Sequence, residues 1–423
     1  MRRWWPASHH RHRSRLRGHG YFKRLGPGIV TGAADDDPSG IGTYSQVGAA
    51  YGLGLVWCVP LVAPMAAAVQ ETSGRLGLVT GRGLATLIRL RFPRWVLLGA
   101  LALVVVANTF NIAADVAAMA ASTRLVVDLP QAFLVVGYVG VMMALELTMP
   151  YHRYARILRW LALSLLAYVF VLASADVDWS EVWHALVSPA LVGGAGGIAA
   201  LIAVFGTTVS PYLFFWQASE EVEEESDRPA PVDVDHVRAM RVDVVGGMVS
   251  AVVIAFAIVV VAASTLHPAG ITEIATPDQA AQALEPLVGG AAGLVFTLGI
   301  VGLGLLAVPV LAGSSAYALA EAFDWHEGLS RGLRDARGFY AVVAGSMLTG
   351  MVVGFVGLDP IRALYLAAIL NGLAAPPLIA LMLALGRRET ALGRFRSGAW
   401  SVGLVGATLA VSLALPLAYV LAR

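Results

Sequence analysis

The chain contains a series of apolar segments, each about as long as a helix that crosses a lipid bilayer. A spanning helix needs roughly 20 predominantly apolar residues. Runs of this kind lie at 26–50, 53–73, 95–123, 131–149, 155–174, 193–219, 240–265, 289–319, 338–357, 361–386 and 398–421. Only 13% of the residues are charged, whereas soluble proteins have roughly 25%. We therefore predict an all-α, polytopic membrane protein with 11 transmembrane helices.

The positions of Lys and Arg predict the orientation of these helices. All but three of the 29 basic residues lie in the N-terminal tail or after an even-numbered helix, the exceptions being Arg124, Arg362 and Arg423. Short cytoplasmic loops carry the excess of basic residues. We therefore expect a plasma-membrane protein, in a bacterium an inner-membrane protein, with its N-terminus in the cytoplasm and its C-terminus outside.

The polar segments between the apolar runs define the predicted domain limits. Residues 1–24 form a basic tail without the apolar run of a cleavable signal peptide, and residues 25–423 are expected to form a single transmembrane domain. The acidic run Glu220–Glu225 is expected to be a solvated loop at a helix end, with a cation-collecting vestibule as the alternative. Arg75 is expected in the loop after helix 2, and Glu71 within helix 2 is expected to form an ion pair or to lie at an interface.

Three consecutive carboxylates, Asp35, Asp36 and Asp37, interrupt the first apolar run. An ionisable group at membrane depth is costly and normally faces a cavity or a partner. Pro38 lacks a backbone donor and disfavours helical geometry at the residue before it. This pattern predicts a helix that is broken at its acidic point, where carboxylate and carbonyl oxygens could bind a cation.

The sixth run shows a second interruption of the same kind. It contains a mid-span proline, Pro211, which follows Ser210 and a segment of small and polar residues that begins at Gly206. Breaks in helices 1 and 6 are typical of transporters built from two inverted repeats of five helices. The repeats are predicted at about 25–175 and 193–386, with an extra helix at about 398–421.

These two segments resemble one known family. The sequence Gly26-Pro27-Gly28, followed by Asp37-Pro38-Ser39-Gly40, resembles the first helix of the NRAMP family of divalent-metal transporters, which has a Gly-Pro and then an Asp-Pro-Gly-Asn. The segment from Gly206 to Tyr212 resembles the sixth-helix segment of that family, which ends in Met-Pro-His. The resemblance extends along nearly the whole chain and implies the leucine-transporter fold.

The resemblance implies a metal site, but this chain departs from the family at several ligands. The metal-binding Asp of the family falls on Asp37, its Asn ligand falls on Gly40, and its Met ligand falls on Ser210. A soft thioether favours transition metals, whereas hydroxyl and carbonyl oxygens favour hard cations. The substitutions therefore resemble the magnesium-transporting branch of the family. Asp36 is expected beside the ion, and Asn371 in helix 10 is expected either to face the cavity or to form an interhelical hydrogen bond.

The residues that the resemblance links to proton movement also differ. The two sixth-helix histidines of the family fall on Tyr212 and Gln217, and Gln217 is expected either to face the cation cavity or to form an interhelical hydrogen bond. In helix 3, the acid linked to proton transfer falls on Asp115, and the second acid of the family is Ile112 here. Asp115 is therefore the proton-path candidate, and we expect proton coupling to be weak or absent.

The expected function is secondary transport of a divalent cation, with Mg²⁺ or Mn²⁺ favoured, into the cytoplasm by alternating access. The cation is the substrate, and we expect no cofactor, no enzymatic activity and no nucleic-acid partner. The lipid bilayer is the other partner, and the chain is expected to act as a monomer. Three alternatives remain: a proton-coupled Mn²⁺/Fe²⁺ symporter, an amino-acid transporter of the same fold, and a Mg²⁺-dependent membrane prenyltransferase with an Asp-rich motif.

Overall fold

The computed structural model describes residues 31–32, 34–148, 166–174, 177–227, 232–329, 332–355 and 359–423. Regular structure in these ranges is entirely helical. The helices of eight or more residues are α1 Pro38–Tyr51, α2 Cys58–Thr80, α3 Leu84–Arg91, α4 Arg94–Thr123, α5 Gln131–Thr148, α6 Leu166–Ser174, α7 Trp179–Val187, α8 Gly194–Thr208, α9 Pro211–Asp227, α10 Val234–Thr265, α11 Ala292–Phe323, α12 Arg337–Gly354, α13 Pro360–Gly386 and α14 Ala399–Leu421.

Shorter helical turns lie in the connections between these helices. They are the segments Gly52–Leu55, Pro277–Ala281, Gln282–Leu284, Glu285–Val288, Gly289–Ala291, Glu389–Leu392 and Gly393–Phe395. The Gly52–Leu55 turn separates α1 from α2, which bend by 114° relative to one another. Gly52 has φ 54°, in the left-handed region that glycine adopts without steric cost. The Gly-rich boundary between the first two apolar runs is therefore a sharp corner.

Within the described residues, eight helices are long and apolar enough to cross a membrane, or nine if the bent pair α1 and α2 forms one span. The eight match the predicted runs 3, 4 and 6–11, and the bent pair covers run 2 and the second half of run 1. The predicted run at 155–174 is described only from Leu166. Residues 1–24 and the segment Gly26–Gly28 lie outside the described residues. The prediction of an all-helical, polytopic membrane protein is confirmed.

Both predicted helix breaks are present, and each is followed by a proline at the first position of a helix. Residues 34–35 are helical, the chain leaves the helix at Asp36 and Asp37, and α1 starts at Pro38. In the same way α8 ends at Thr208, Val209 adopts φ −116° and ψ 58°, and α9 starts at Pro211. Proline suits this position because the first N–H of a helix has no partner within the helix.

The fold places the two breaks side by side. The Tyr44 hydroxyl of α1 lies 2.8 Å from the Thr208 hydroxyl, where α8 ends. At the start of α1, Ser39 Oγ lies 3.4 Å from Thr207 Oγ1. These contacts pair the first turns of α1 with the last turn of α8, so unwound backbone from both broken helices lies at one buried junction.

Helix α2 continues beyond the predicted end of the second span, which corrects the loop assignment of Arg75. Arg75 lies inside α2 and is buried. Its guanidinium pairs with Glu71 and donates a hydrogen bond to the carbonyl oxygen of Phe395 at 3.0 Å. Glu71 also lies 3.1 Å from Arg241 Nε. Because the charge of Arg75 is paired inside the protein, α2 can continue past the apolar run that hydropathy detects. The prediction of an ion pair for Glu71 is confirmed.

The prediction of a solvated acidic loop at Glu220–Glu225 is wrong for most of the run. Helix α9 extends to Asp227, and Glu220, Glu221 and Glu223 are buried, whereas Glu224 is exposed. Tyr317 of α11 donates its hydroxyl to Glu223 and lies 3.4 Å from Glu220. The carboxylates are buried because a neighbouring helix supplies hydrogen-bond donors, a condition that a count of charges cannot show.

A close helix contact provides a test of this packing. A side chain at Gly206 of α8 would overlap the carbonyl oxygen of Ala368 and the backbone of Gly372 in α13, whereas one at Gly140 of α5 would meet open space. We expect Gly206→Ala to destabilise the fold by about 1–3 kcal/mol through overpacking. Thermal unfolding in detergent should show a lower midpoint for this variant, and an unchanged midpoint for Gly140→Ala. Equal midpoints for both variants would contradict the close contact.

Candidate metal centre

Asp37 is the buried carboxylate at the centre of the junction, and it caps α1. Its backbone is extended, with φ −65° and ψ 171°. Its Oδ1 accepts hydrogen bonds from Ser39 Oγ at 2.6 Å and from the Gly40 amide at 2.9 Å. An Asp at this position satisfies N–H groups that the first turn of a helix leaves without partners. The local sequence therefore fixes the carboxylate at the helix break.

The second oxygen of Asp37 faces other helices. Asn111 of α4 donates its side-chain N–H to Asp37 Oδ2 at 3.1 Å. Tyr212, in the first turn of α9, donates its hydroxyl to the carbonyl oxygen of Ala34 at 2.7 Å and lies 3.5 Å from the same Oδ2. The carboxylate of Asp37 thus joins α1, α4 and α9.

Three further carboxylates are buried near Asp37, namely Asp35, Asp36 and Asp115. Asp35 Oδ1 has no hydrogen-bond partner, and Asp115 lies near the Ser39 backbone without a hydrogen bond of normal geometry to either oxygen. The ion pairs found among the described residues involve none of these four groups. Buried charges are normally paired or bind a metal, so the junction is suited to a cation.

Gly40 and Ser210 lie at the same junction as Asp37. A side chain at Gly40 would lie 3.5 Å from both Thr207 Oγ1 and the Asp35 carbonyl oxygen, so this position faces the end of α8. Ser210 is buried in the second break, immediately before Pro211. Its hydroxyl donates back to the carbonyl oxygens of Gly206 at 2.9 Å and Thr207 at 2.8 Å. The lone pairs of that hydroxyl remain available to a cation.

Two other predicted site residues are not in direct contact with Asp37. Gln217 lies farther along α9, donates to Glu221 Oε1 at 2.8 Å and accepts from Thr31 Oγ1 at 2.5 Å. Asn371 is buried in α13, and both polar atoms of its amide lack hydrogen-bond partners. Its neighbour Gly372 packs against α8. A role for either residue at the cation therefore stays a prediction.

Asp115 lies four residues after Asn111 on α4, so the two side chains share a helix face. The sequence did not identify Asn111 as the donor to Asp37. The spacing shows which residues lie together on α4, and it gives no information on which helix they approach. The hydrogen bonds of Asp37 to Ser39 and of Tyr212 to Ala34 were also missed.

The donor atoms at the junction are oxygens. Among the described residues, no group of three or more His, Cys, Asp or Glu side chains is arranged to hold a metal ion. The oxygens at the junction belong to the buried carboxylates, the Ser210 hydroxyl and the Asp35 backbone carbonyl. Mg²⁺ commonly binds through one or two carboxylates and keeps several waters. This donor set can also accept Mn²⁺, which tolerates oxygen ligands.

Comparisons with known proteins agree with this architecture. The chain is 29% identical over 410 residues to the divalent metal cation transporter MntH of Pectobacterium carotovorum, covering 92% of each chain. It is 27% identical over 403 residues to the protein of the same name from Acidiphilium cryptum, covering 91% of this chain and 87% of the relative.

Solved structures show the same fold at lower identity. The structure of a manganese transporter mutant from Eremococcus coleocola matches with a TM-score of 0.78 at 18% identity, covering 95% of this chain and 87% of that chain. MhsT in complex with L-phenylalanine matches with a TM-score of 0.65 at 14% identity, covering 94% and 99% of the two chains. The predicted leucine-transporter fold, with its first and sixth helices broken, is confirmed.

The family model described as natural resistance-associated macrophage protein-like, Nramp, matches residues 28–422. This range includes both helix breaks, the Asp37 site and the last helix. Members of this family are transporters and not enzymes, which excludes the prenyltransferase alternative. The chain is an integral membrane protein that belongs to the Nramp family.

Proposed function

We propose that this protein is a secondary transporter that moves divalent metal cations, Mg²⁺ or Mn²⁺, into the cytoplasm by alternating access. The observation that carries the proposal is the buried Asp37 carboxylate at the paired helix breaks, with Oδ2 directed at α4 and α9. The MntH relatives, which bear the name divalent metal cation transporter, support the same substrate class. The N-terminus would lie in the cytoplasm and the C-terminus outside, and a single chain would be the transport unit.

The proposed selectivity rests on the oxygen-only donors at the junction. Ser210 offers a hydroxyl where a thioether would favour softer ions, and Gly40 offers no side chain. Mg²⁺ is reluctant to lose its water, so a site with few protein ligands suits it. An amino acid is disfavoured as a substrate because its carboxylate would be repelled by the buried acids Asp35, Asp36 and Asp115.

The first prediction concerns Asp37 as the indispensable ligand. Asp37→Ala should abolish uptake of Mg²⁺ and Mn²⁺ into proteoliposomes, because the charged ligand is lost. Removal of the helix cap by itself should cost only about 1 kcal/mol of stability. Asp359 provides a matched control: it also precedes a proline and caps α13 through the Ile361 amide at 3.0 Å. Asp359→Ala should therefore transport normally, and full transport by Asp37→Ala would refute the site.

The second prediction concerns Ser210 and selectivity. Ser210→Met adds a soft donor at the second break and should raise the affinity for Mn²⁺ or Cd²⁺ relative to Mg²⁺ by about tenfold, or about 1–2 kcal/mol. Calorimetric titrations of the purified protein with each metal would measure the ratio. Ser412→Met, in α14, introduces the same side chain elsewhere and should leave the ratio unchanged. If Ser210→Met also leaves the ratio unchanged, Ser210 does not face the ion.

The third prediction is that metal entry is driven by the membrane potential, with weak or no proton coupling. Tyr212 and Gln217 belong to residue types that do not titrate near neutral pH, and Ile112 cannot carry a proton. Two positive charges gain roughly 4.6 kcal/mol in a potential of about 100 mV. A second candidate function is a proton-coupled Mn²⁺/Fe²⁺ symporter. The observation that favours it is Asp115, a buried acid that lies four residues after Asn111 and could carry a proton.

Proteoliposomes with a negative interior and an internal pH-sensitive dye distinguish these two functions. We expect the potential to accelerate metal uptake while the internal pH stays constant. Asp115→Asn should then transport at close to the wild-type rate, because no transported proton passes through Asp115. Acidification that scales with metal influx, and that disappears in Asp115→Asn, would instead establish the proton-coupled function.

A further inference from the structure

We propose that Asn111 of α4 is a direct ligand of the transported cation through its side-chain carbonyl oxygen. This inference rests on the proposed transport of divalent cations at Asp37. It assigns a ligand to a helix outside the two broken ones. The side chain lies at full burial beside the Asp37 carboxylate.

Asp37 has one oxygen that is committed to its own helix and one that is not. Oδ1 receives two short hydrogen bonds, 2.6 Å from Ser39 Oγ and 2.9 Å from the Gly40 amide. Oδ2 receives longer contacts, 3.1 Å from Asn111 Nδ2 and 3.5 Å from the Tyr212 hydroxyl. A cation that approached Oδ1 would break the cap of α1. Oδ2 is therefore the oxygen open to a cation, and Asn111 lies directly against it.

The Asn111 amide has a second atom that is not used in this structure. Its Oδ1 is buried and has no hydrogen-bond partner. Leaving a buried acceptor without a partner costs free energy, so such a group normally has a function or an additional partner. Oδ1 is attached to the same carbon as the Nδ2 that contacts Asp37. This places an unused hard oxygen ligand next to the oxygen of Asp37 that can receive a cation.

Rotation of the amide connects the cation-free and the cation-bound arrangements. Without a cation, the N–H of Asn111 offsets the negative charge of Asp37. With a cation at Oδ2, that N–H would point toward positive charge, and rotation about the last side-chain torsion would present Oδ1 instead. Such terminal torsions have broad, roughly two-fold preferences. Asn111 can therefore stabilise both arrangements, and it supplies an amide oxygen that position 40 lacks because it is glycine.

Substitutions of matched size test this assignment. Asn111→Leu removes both polar atoms in a side chain of similar volume, whereas Asn111→Asp removes the N–H donor and keeps an oxygen in place. The control is Asn108→Leu, one turn earlier on α4, where the amide donates to Leu311 and Ser315 of α11. Calorimetric titration of each purified protein with MgCl₂ and MnCl₂, at mildly alkaline pH, would measure the affinities.

We expect Asn111→Leu to weaken binding of both metals by about 10- to 100-fold. Removing a group that only orients a metal ligand already costs about this much affinity, so the loss of a direct ligand should be at least as large. Asn111→Asp should bind at least as tightly as the wild type, and Asn108→Leu should be unchanged. Wild-type affinity in Asn111→Leu would overturn the proposal. An equal loss in Asn111→Asp would also overturn it, because it would show that the N–H alone matters.

The outcomes separate this inference from the proposed function. If Asn111→Leu fails to elute as a single folded species, Asn111→Ala takes its place beside the Asp variant. If the wild-type protein binds metal, Asp37→Ala does not, and the Asn111 variants all bind normally, only the role of Asn111 is lost. If the wild-type protein binds neither metal, the proposed function itself fails.

Discussion

The structure depends on a carboxylate held at the point where a buried helix is interrupted. Asp37 satisfies the first turn of α1 with one oxygen and leaves the other at the junction. Negative charge at a helix N-terminus is stabilised by the helix dipole, which helps Asp37 to remain at this depth. The helix before the break and α8 both end at the same junction, and the last carbonyl groups of a helix lack partners within it. The Asp37 carboxylate and the carbonyl ends of these two helices therefore place negative potential in one buried volume.

The type of donor atom at this junction, together with its charge, explains why a hard divalent cation is the proposed substrate. Four carboxylates are buried there, and none belongs to an ion pair found among the described residues. The side chains around Oδ2 of Asp37 are an amide and a phenol, and Ser210 adds a hydroxyl at the second break. Because these are hard donors, the selectivity would come from charge and space for water and not from a soft ligand.

The spans and the two breaks could be predicted from the sequence because each has a local cause. Apolar length defines the spans, and Pro38 and Pro211 mark the positions where helices restart. The ends of α2 and α9 could not be predicted, because Arg75 and Glu223 are charged residues whose partners come from distant segments. The contact between Asn111 and Asp37 was missed for the same reason. Helical spacing defines a face of α4, and only tertiary packing shows that this face meets α1.

The central claim is that a divalent cation binds at Oδ2 of Asp37, between α1, α4 and α9. A crystal structure of the protein soaked in Mn²⁺, with anomalous scattering used to locate the ion, tests this claim most directly. We expect an anomalous peak at the junction, at about 2.1 Å from Asp37 Oδ2 as for other small divalent cations, with the Asn111 oxygen turned toward it. A bound ion elsewhere in the protein, with the Asp37 junction empty, would contradict the account.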